Sequence, residues 1–188
     1  MALKVTSVMR FVLYGAVGFG VGGAIAGVSG DAMPLGFFVM GAMGGASLGL
    51  ATSAKRSIAT LALTGALGFG LGFVVASAIV LLVWDPFGDW FIGAVGGLVG
   101  GASLGVTFRT WGRVVLLAVV GTLGFGIGWE AAGILSQPLV ESGVSSIPFW
   151  QTMLFMTMEG AIGGAALGAA LGYLENRKLA EERSERVV

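Results

Sequence analysis

The chain has 188 residues, of which 56% are hydrophobic and 11% charged, and its formal net charge is zero. Soluble domains carry about 25% charged residues, so this composition excludes a soluble globular protein and gives no bulk attraction to nucleic acid. Cysteine and histidine are absent, which removes disulfides, thiolate metal sites and the commonest general base. We therefore predict an integral membrane protein that is not an enzyme and holds no metal or cofactor.

Six apolar segments follow one another along the chain, most of them near the ~20 residues that a bilayer-spanning helix needs. They predict helices at 11–29, 35–53, 58–83, 90–108, 113–135 and 150–174. Every lysine and arginine lies before the first segment or after the second, fourth and sixth. The other connections hold only acidic charges: Asp31, Asp85, Asp89 and Glu141. The positive-inside rule then places both termini in the cytoplasm, and we expect a bacterial or archaeal inner membrane.

Two glycine motifs alternate along the chain. The odd segments carry GxxGFGxG, at 15–22, 65–72 and 121–128, and the even segments carry GxxGGAxLG, from 41, 97 and 160. The repetition predicts an all-α membrane protein of six transmembrane helices, built as three glycine-zipper hairpins with a pseudo-threefold arrangement. The hairpins cover about 11–56, 57–112 and 113–174 of a single domain, 1–174. The recurrence of the first motif also marks the first segment as an uncleaved span, and the charged cytoplasmic tail, 175–188, is expected to extend the sixth helix.

Glycines spaced four apart create grooves that let another helix backbone approach closely. The glycines expected at such contacts are Gly18, Gly22, Gly41, Gly45, Gly49, Gly68, Gly72, Gly97, Gly101, Gly105, Gly124, Gly128, Gly160, Gly164, Gly168 and Gly172. The odd helices carry a second small stripe on the opposite side, Ala16, Gly20 and Ala24 in the first of them. We therefore expect odd helices at the centre, even helices around them, and Leu, Ile, Val, Phe and Met facing lipid.

Two ionisable residues, Glu130 and Glu159, fall well inside predicted spans. A carboxylate in hydrocarbon is costly and by default marks a functional site, so a possible proton or cation site includes both. Hydroxyl neighbours could come from Ser47, Ser103, Thr122 and Thr157. The favoured alternative is that each glutamate is a neutral acid bonded to a neighbouring helix, or that Glu130 reaches the headgroups.

Two aspartates, Asp85 and Asp89, flank a Pro and a Gly in the sequence WDPFGDW. Turn formation is the favoured interpretation of this segment, and a surface cation site is the alternative.

The sequence is compatible with two functions. The first is a non-enzymatic accessory or assembly subunit of a membrane complex, or a homo-oligomer, whose partners are the lipid bilayer and other membrane subunits or copies of itself. Leucine at Gly45, Gly101 or Gly164 should then disrupt assembly, whereas Glu130→Gln should be nearly silent. The alternative is a small proton or cation channel or transporter that uses Glu130 and Glu159. No nucleic-acid partner is expected, and the motifs assign no specific family.

Overall fold

The computed structural model describes residues 5–29, 33–52, 55–83, 90–140 and 149–185, and within these ranges it contains helices and no strands. There are six helices: α1 (Val5–Val28), α2 (Met33–Ala51), α3 (Lys55–Val83), α4 (Trp90–Val106), α5 (Trp111–Val140) and α6 (Phe149–Glu185). All six predicted helices are confirmed. The last helix continues through the charged tail as far as Glu185, as expected.

Five of the helices are long and apolar enough to cross a membrane. The exception is α4, an apolar helix of 17 residues. At the other extreme, α6 has 37 residues and is about 55 Å long, well beyond the ~30 Å hydrocarbon thickness of a bilayer. The helices are thus compatible with a multi-pass membrane protein.

The six helices form one closed ring in chain order, with α6 packing back against α1. Neighbours are antiparallel: Phe11, Gly15 and Phe19 of α1 lie against Gly168, Gly164 and Gly160 of α6, in reverse order. The start of α1 and the end of α6 therefore lie at one end of the ring, which we call the termini end. We call the opposite end the loop end.

The ring differs from the expectation of odd helices at the centre. Odd and even helices alternate, and each packs mainly against its two neighbours in the ring. The second small stripe expected on α1 also differs from the observed one. The side of α1 that faces α6 is formed chiefly by Gly15, Gly23 and Gly27, which lie against backbone atoms of α6. Gly20 approaches α6 less closely, with its nearest neighbour the Cβ of Ala161.

Glycines occupy the closest helix crossings, and their contacts lie within this one chain. At three crossings the approach is reciprocal, so that a Cβ on either glycine would overlap the carbonyl of the other. These pairs are Gly15 with Gly164, Gly65 with Gly41, and Gly121 with Gly97. They join α6 to α1, α2 to α3 and α4 to α5.

The helices of each predicted hairpin meet through a second set of small residues. Gly18 of α1 faces Ser47 of α2, and Gly68 of α3 faces Ser103 of α4. The two serine hydroxyls also donate hydrogen bonds across these contacts, from Ser47 to the carbonyl of Tyr14 (2.7 Å) and from Ser103 to that of Thr64 (2.9 Å). Between α5 and α6 the same place is taken by Gly124 and Ala166, so this contact lacks a hydroxyl.

The centre of the ring is filled by phenylalanine rings, contrary to the expectation that Phe faces lipid. Phe19, Phe69 and Phe125 are fully buried, and their ring centroids lie 4.8 to 5.4 Å apart. Each ring lies over a glycine of the following helix, at Gly44, Gly100 and Gly163. The expectation is also wrong for Met40 and for leucines of the interior such as Leu48 and Leu167, which are fully buried. It holds on the outer surface, where Val17, Leu67 and Leu123 are exposed.

Alanine at Gly164 should destabilise the fold, because its Cβ would overlap the Gly15 carbonyl and force α1 and α6 apart. We expect Gly164→Ala to lower the free energy of unfolding by about 1–3 kcal/mol, measured by denaturant titration in lipid nanodiscs. The matched control is Gly112→Ala, since an added Cβ at Gly112 would have nothing within 4 Å. Equal stability of the two variants would contradict the close crossing.

Candidate functional site

Glu159 is the most deeply buried ionisable residue among those that the structure describes, with 0% of its surface exposed. It lies on the stripe of α6 that faces the ring centre, one turn toward the loop end from Gly163. Neither of its carboxyl oxygens has a hydrogen-bond partner. A buried polar group without a partner is rare in proteins and calls for a specific explanation.

The neighbours of Glu159 are apolar side chains and helix backbone. On α5, Gly128 approaches the backbone of Glu159, so the two helices are close at this level. The corresponding motif positions of α2 and α4 are Met40, which is fully buried, and Gly96, which is covered by the ring of Phe73. The glutamate thus stands where the other two even helices present a methionine or make room for an aromatic ring.

Toward the termini end, three successive layers of buried apolar side chains separate Glu159 from the end of the ring. The first is the Phe19, Phe69 and Phe125 cluster. The second comprises the fully buried Leu48, Leu104 and Leu167, and the third comprises Phe11, Leu61 and Leu117. Beyond these layers, the next buried polar side chain of α6 toward the termini end is Asn176.

Toward the loop end, the stripe of α6 that bears Glu159 continues with Phe155 and Gln151, at spacings of four residues. Gln151 is a buried polar residue, 3% exposed. Phe155 is only partly buried and meets the Trp129 ring of α5 edge-on, at 4.9 Å between centroids. This side of Glu159 also contains buried apolar side chains, Phe37, Phe73 and Met156, but it differs from the other in holding a nearby buried amide and two incompletely buried aromatic rings.

The structure places Glu130 away from Glu159. Glu130 is exposed and lines an outward-facing groove of about 380 Å³ with residues that include Trp90 of α4 and Ile134. Because Gly128 faces Glu159 and a helix turns about 200° in two residues, Glu130 projects from the opposite side of α5. The two carboxyl groups predicted as one proton or cation site are therefore not brought together.

The hydroxyl groups suggested as neighbours of the glutamates bind backbone carbonyls instead. Thr157 donates to the carbonyl of Met153 (2.6 Å) and Thr122 to that of Ala118 (2.8 Å). Ser47 and Ser103 donate to carbonyls on their own and the preceding helix. A helix carbonyl is the nearest acceptor for a hydroxyl in an apolar span, which explains the outcome.

In the ranges that the structure describes, no three His, Cys, Asp or Glu residues come together as a cluster that could bind a metal ion. Asp31, Asp85, Asp89 and Glu141, the acidic residues of the connections, lie outside the described residues, so the turn interpretation of WDPFGDW stays a prediction.

Two features of the site were missed by sequence reasoning: the central phenylalanine cluster and Gln151. The signal for the first was present, since every GFG motif places its phenylalanine between two glycines. The signal for the second was its i, i+8 spacing from Glu159, which puts both polar residues on one stripe of α6.

A single buried carboxyl in such surroundings can do one kind of chemistry well, namely to hold a proton. Transfer of an ionised carboxylate into an apolar interior costs far more than transfer of the neutral acid, so the neutral form fits the site.

Comparison with known proteins adds no relative to this picture. No protein-family model matches the chain, and neither a curated protein nor a solved structure matches it.

Methionine at position 159 should stabilise the protein, because it would replace a buried carboxyl without partners by an apolar side chain like Met40. We expect Glu159→Met to raise the free energy of unfolding by about 1–3 kcal/mol. Denaturant titration in nanodiscs measures the change, and the exposed Glu130→Gln serves as control, with a shift within about 0.5 kcal/mol. A loss of stability in Glu159→Met would show that the carboxyl has a stabilising partner.

Proposed function

We propose that this chain is a non-enzymatic, multi-pass integral membrane protein that serves as an accessory or assembly subunit of a larger membrane complex. Its three glycine-zipper hairpins would surround a pseudo-threefold axis along the membrane normal. The observation that carries the proposal is the set of matched crossings, Gly15–Gly164, Gly65–Gly41 and Gly121–Gly97. Close packing of this kind builds a compact helical body, and the lack of His and Cys in the sequence favours a structural role over catalysis.

The glycine crossings help to choose between a subunit of a complex and a homo-oligomer, because their contacts are made within one chain. Gly45, Gly101 and Gly164 each contact a neighbouring helix of the same chain. Their substitution by leucine should therefore disrupt the fold of one chain before it disrupts contacts between copies. With its glycine faces used internally, the ring favours a self-contained unit that meets partner subunits through other surfaces.

All six helices, α4 included, cross the bilayer in this proposal. Seventeen residues of α4 extend about 25 Å, at the short end of what a bilayer accepts, and a span of this length is accommodated by local thinning of the bilayer. The basic residues Arg10, Arg113, Arg177 and Lys178 lie toward the termini end of their helices, and Arg109 lies in the connection between α4 and α5 at the same end. The positive-inside rule then supports cytoplasmic termini.

The last turns of α6 are the surface best suited to a partner subunit. The helix outruns the bilayer, and its extension carries both signs of charge, with Arg177 paired to Glu181 (3.0 Å) and Lys178 near Glu182 (3.7 Å). All four side chains are solvent-exposed, so the pairs add little to stability. The same four side chains could instead form ion pairs with another subunit in the cytoplasm.

Affinity purification of the tagged full chain from its native membranes in mild detergent, followed by native mass spectrometry, tests the subunit role. We expect a hetero-complex, and we expect its loss in the charge-reversed variant Glu181→Lys/Glu182→Lys. The paired control is Arg10→Gln, which alters a charge on α1 and leaves the α6 extension intact. A purified species with the mass of one chain would overturn the proposal.

A second candidate function, movement of protons or cations, is favoured by one specific observation: Glu159 is fully buried and its carboxyl oxygens lack partners. Such a group in a membrane span is a functional site by default. Because Glu130 lies apart from Glu159, the candidate proton or cation site is Glu159 alone.

Flux measurements on proteoliposomes test the second candidate. If the chain moves protons or cations through Glu159, Glu159→Gln should abolish flux, because the amide cannot exchange a proton at neutral pH, whereas Glu130→Gln should leave it unchanged. Equal flux in wild type, Glu159→Gln and protein-free vesicles would rule out this function.

A further inference from the structure

We infer that Glu159 is a proton-binding site that is loaded from the loop end of the ring, along the contact between α5 and α6. The inference rests on the second candidate function only in assigning proton chemistry to Glu159. It differs from transport in that it requires a proton to enter and leave by one side.

The ligand is identified by the number of oxygen atoms available. Metal cations such as Ca²⁺ and Mg²⁺ require about six or more oxygen ligands, whereas a proton requires one. Glu159 supplies two oxygens, and the nearby Thr157 hydroxyl is directed to the Met153 carbonyl. The side chains at the corresponding position of α2 and over the glycines Gly96 and Gly163, which are Met40, Phe73 and Phe125, are apolar and fully buried. The site therefore suits a proton and does not suit a metal ion.

The direction of loading follows from the two sides of the site. On the termini side, Glu159 is followed by the phenylalanine cluster and then by Leu48, Leu104 and Leu167, all fully buried. Three antiparallel glycine pairs close the ring tightly at those levels. A proton moving in that direction would have to pass three buried apolar layers before it reached the next buried polar side chain, Asn176.

On the loop side, the contact between α5 and α6 is looser. A Cβ added at Gly133 of α5 would find only Phe155, at 4.0 Å, whereas one added at Gly27 of α1 would overlap the backbone of Met153. The space between α5 and α6 is bridged by the Trp129–Phe155 pair, and the buried Gln151 lies one further turn outward. Rotation of the partly exposed Phe155 side chain opens a short route from Gln151 to Glu159.

No charged side chain in the described parts of the packed helices faces Glu159. On α1, Arg10 lies two turns away at the termini end, where it donates to the Leu50 carbonyl (3.0 Å), and Tyr14 is exposed beside it. On α5, Arg113 lies at the termini end and Glu130 on the far side of the helix. The spans of α2 and α4 contain no ionisable residue. Proton occupancy is then governed by Glu159 itself and by access.

Cysteine accessibility tests the direction directly, because the chain has no native cysteine. The full-length Glu159→Cys variant in proteoliposomes is treated with a membrane-impermeant thiol reagent on one side at a time. Ser29→Cys and Ser184→Cys, at the loop and termini ends, identify which side is exposed. We expect modification of Glu159→Cys only from the loop side, faster modification when Phe155→Ala is added, and none of Leu167→Cys from either side.

Modification of Glu159→Cys from the termini side, or from neither side, would overturn the inference. Infrared spectroscopy provides a second measurement that does not depend on a core cysteine: the carbonyl band of a protonated carboxyl should be present in wild type at neutral pH and lost in Glu159→Gln. Absence of this band in wild type would also overturn it. Vesicles that show loop-side loading and the band but no flux would refute transport while supporting the proton site.

Discussion

Close approach of helix backbones is the constraint on which the rest of this structure depends. Apolar side chains gain little by leaving lipid for a protein interior, so helices in a bilayer associate chiefly through van der Waals contact and hydrogen bonds. Glycine removes the side chain that would hold two helices apart, and at Gly15 and Gly164 each backbone occupies the space of the missing Cβ of the other. The usual cost of glycine in a helix is reduced in hydrocarbon, where an unfolded backbone would lack hydrogen-bond partners.

The same close approach determines what fills the centre. Six helices drawn together in a ring leave little space between them, and the space at the middle is taken by Phe19, Phe69 and Phe125. Glycines on the even helices, Gly44, Gly100 and Gly163, make room for these rings. The interior is consequently a packed apolar core and not an open pore.

Among the described residues, Glu159 is the one buried ionisable side chain, and the buried amides are Gln151 and Asn176. The corresponding positions, Met40 and Gly96, show that the packing does not require a polar side chain there. A buried carboxyl without partners lowers stability, and such a group is commonly associated with function. Its position in the ring is asymmetric, with three apolar layers on the termini side and the Trp129–Phe155 pair on the loop side.

The number of helices, their approximate bounds and their alternating direction could be read from the sequence, because span length and the placement of charges are local properties of the chain. The glycines at the reciprocal crossings could be read only in part: Gly41, Gly97 and Gly164 were expected at contacts, whereas their partners Gly15, Gly65 and Gly121 were not. The sequence also identified Glu159, because an ionisable residue is conspicuous in an apolar segment.

Which faces of the six helices pack against each other became clear from the tertiary structure alone. Apolar residues surround each of these helices, and lipid and protein interior are both apolar, so hydrophobic pattern does not distinguish a phenylalanine at the centre from one facing the bilayer. For the same reason the sequence placed the odd helices at the centre, where the structure shows an alternating ring. The separation of Glu130 from Glu159 likewise depended on the rotation of α5 against α6, which is set by the contact of Gly128 with the backbone of Glu159.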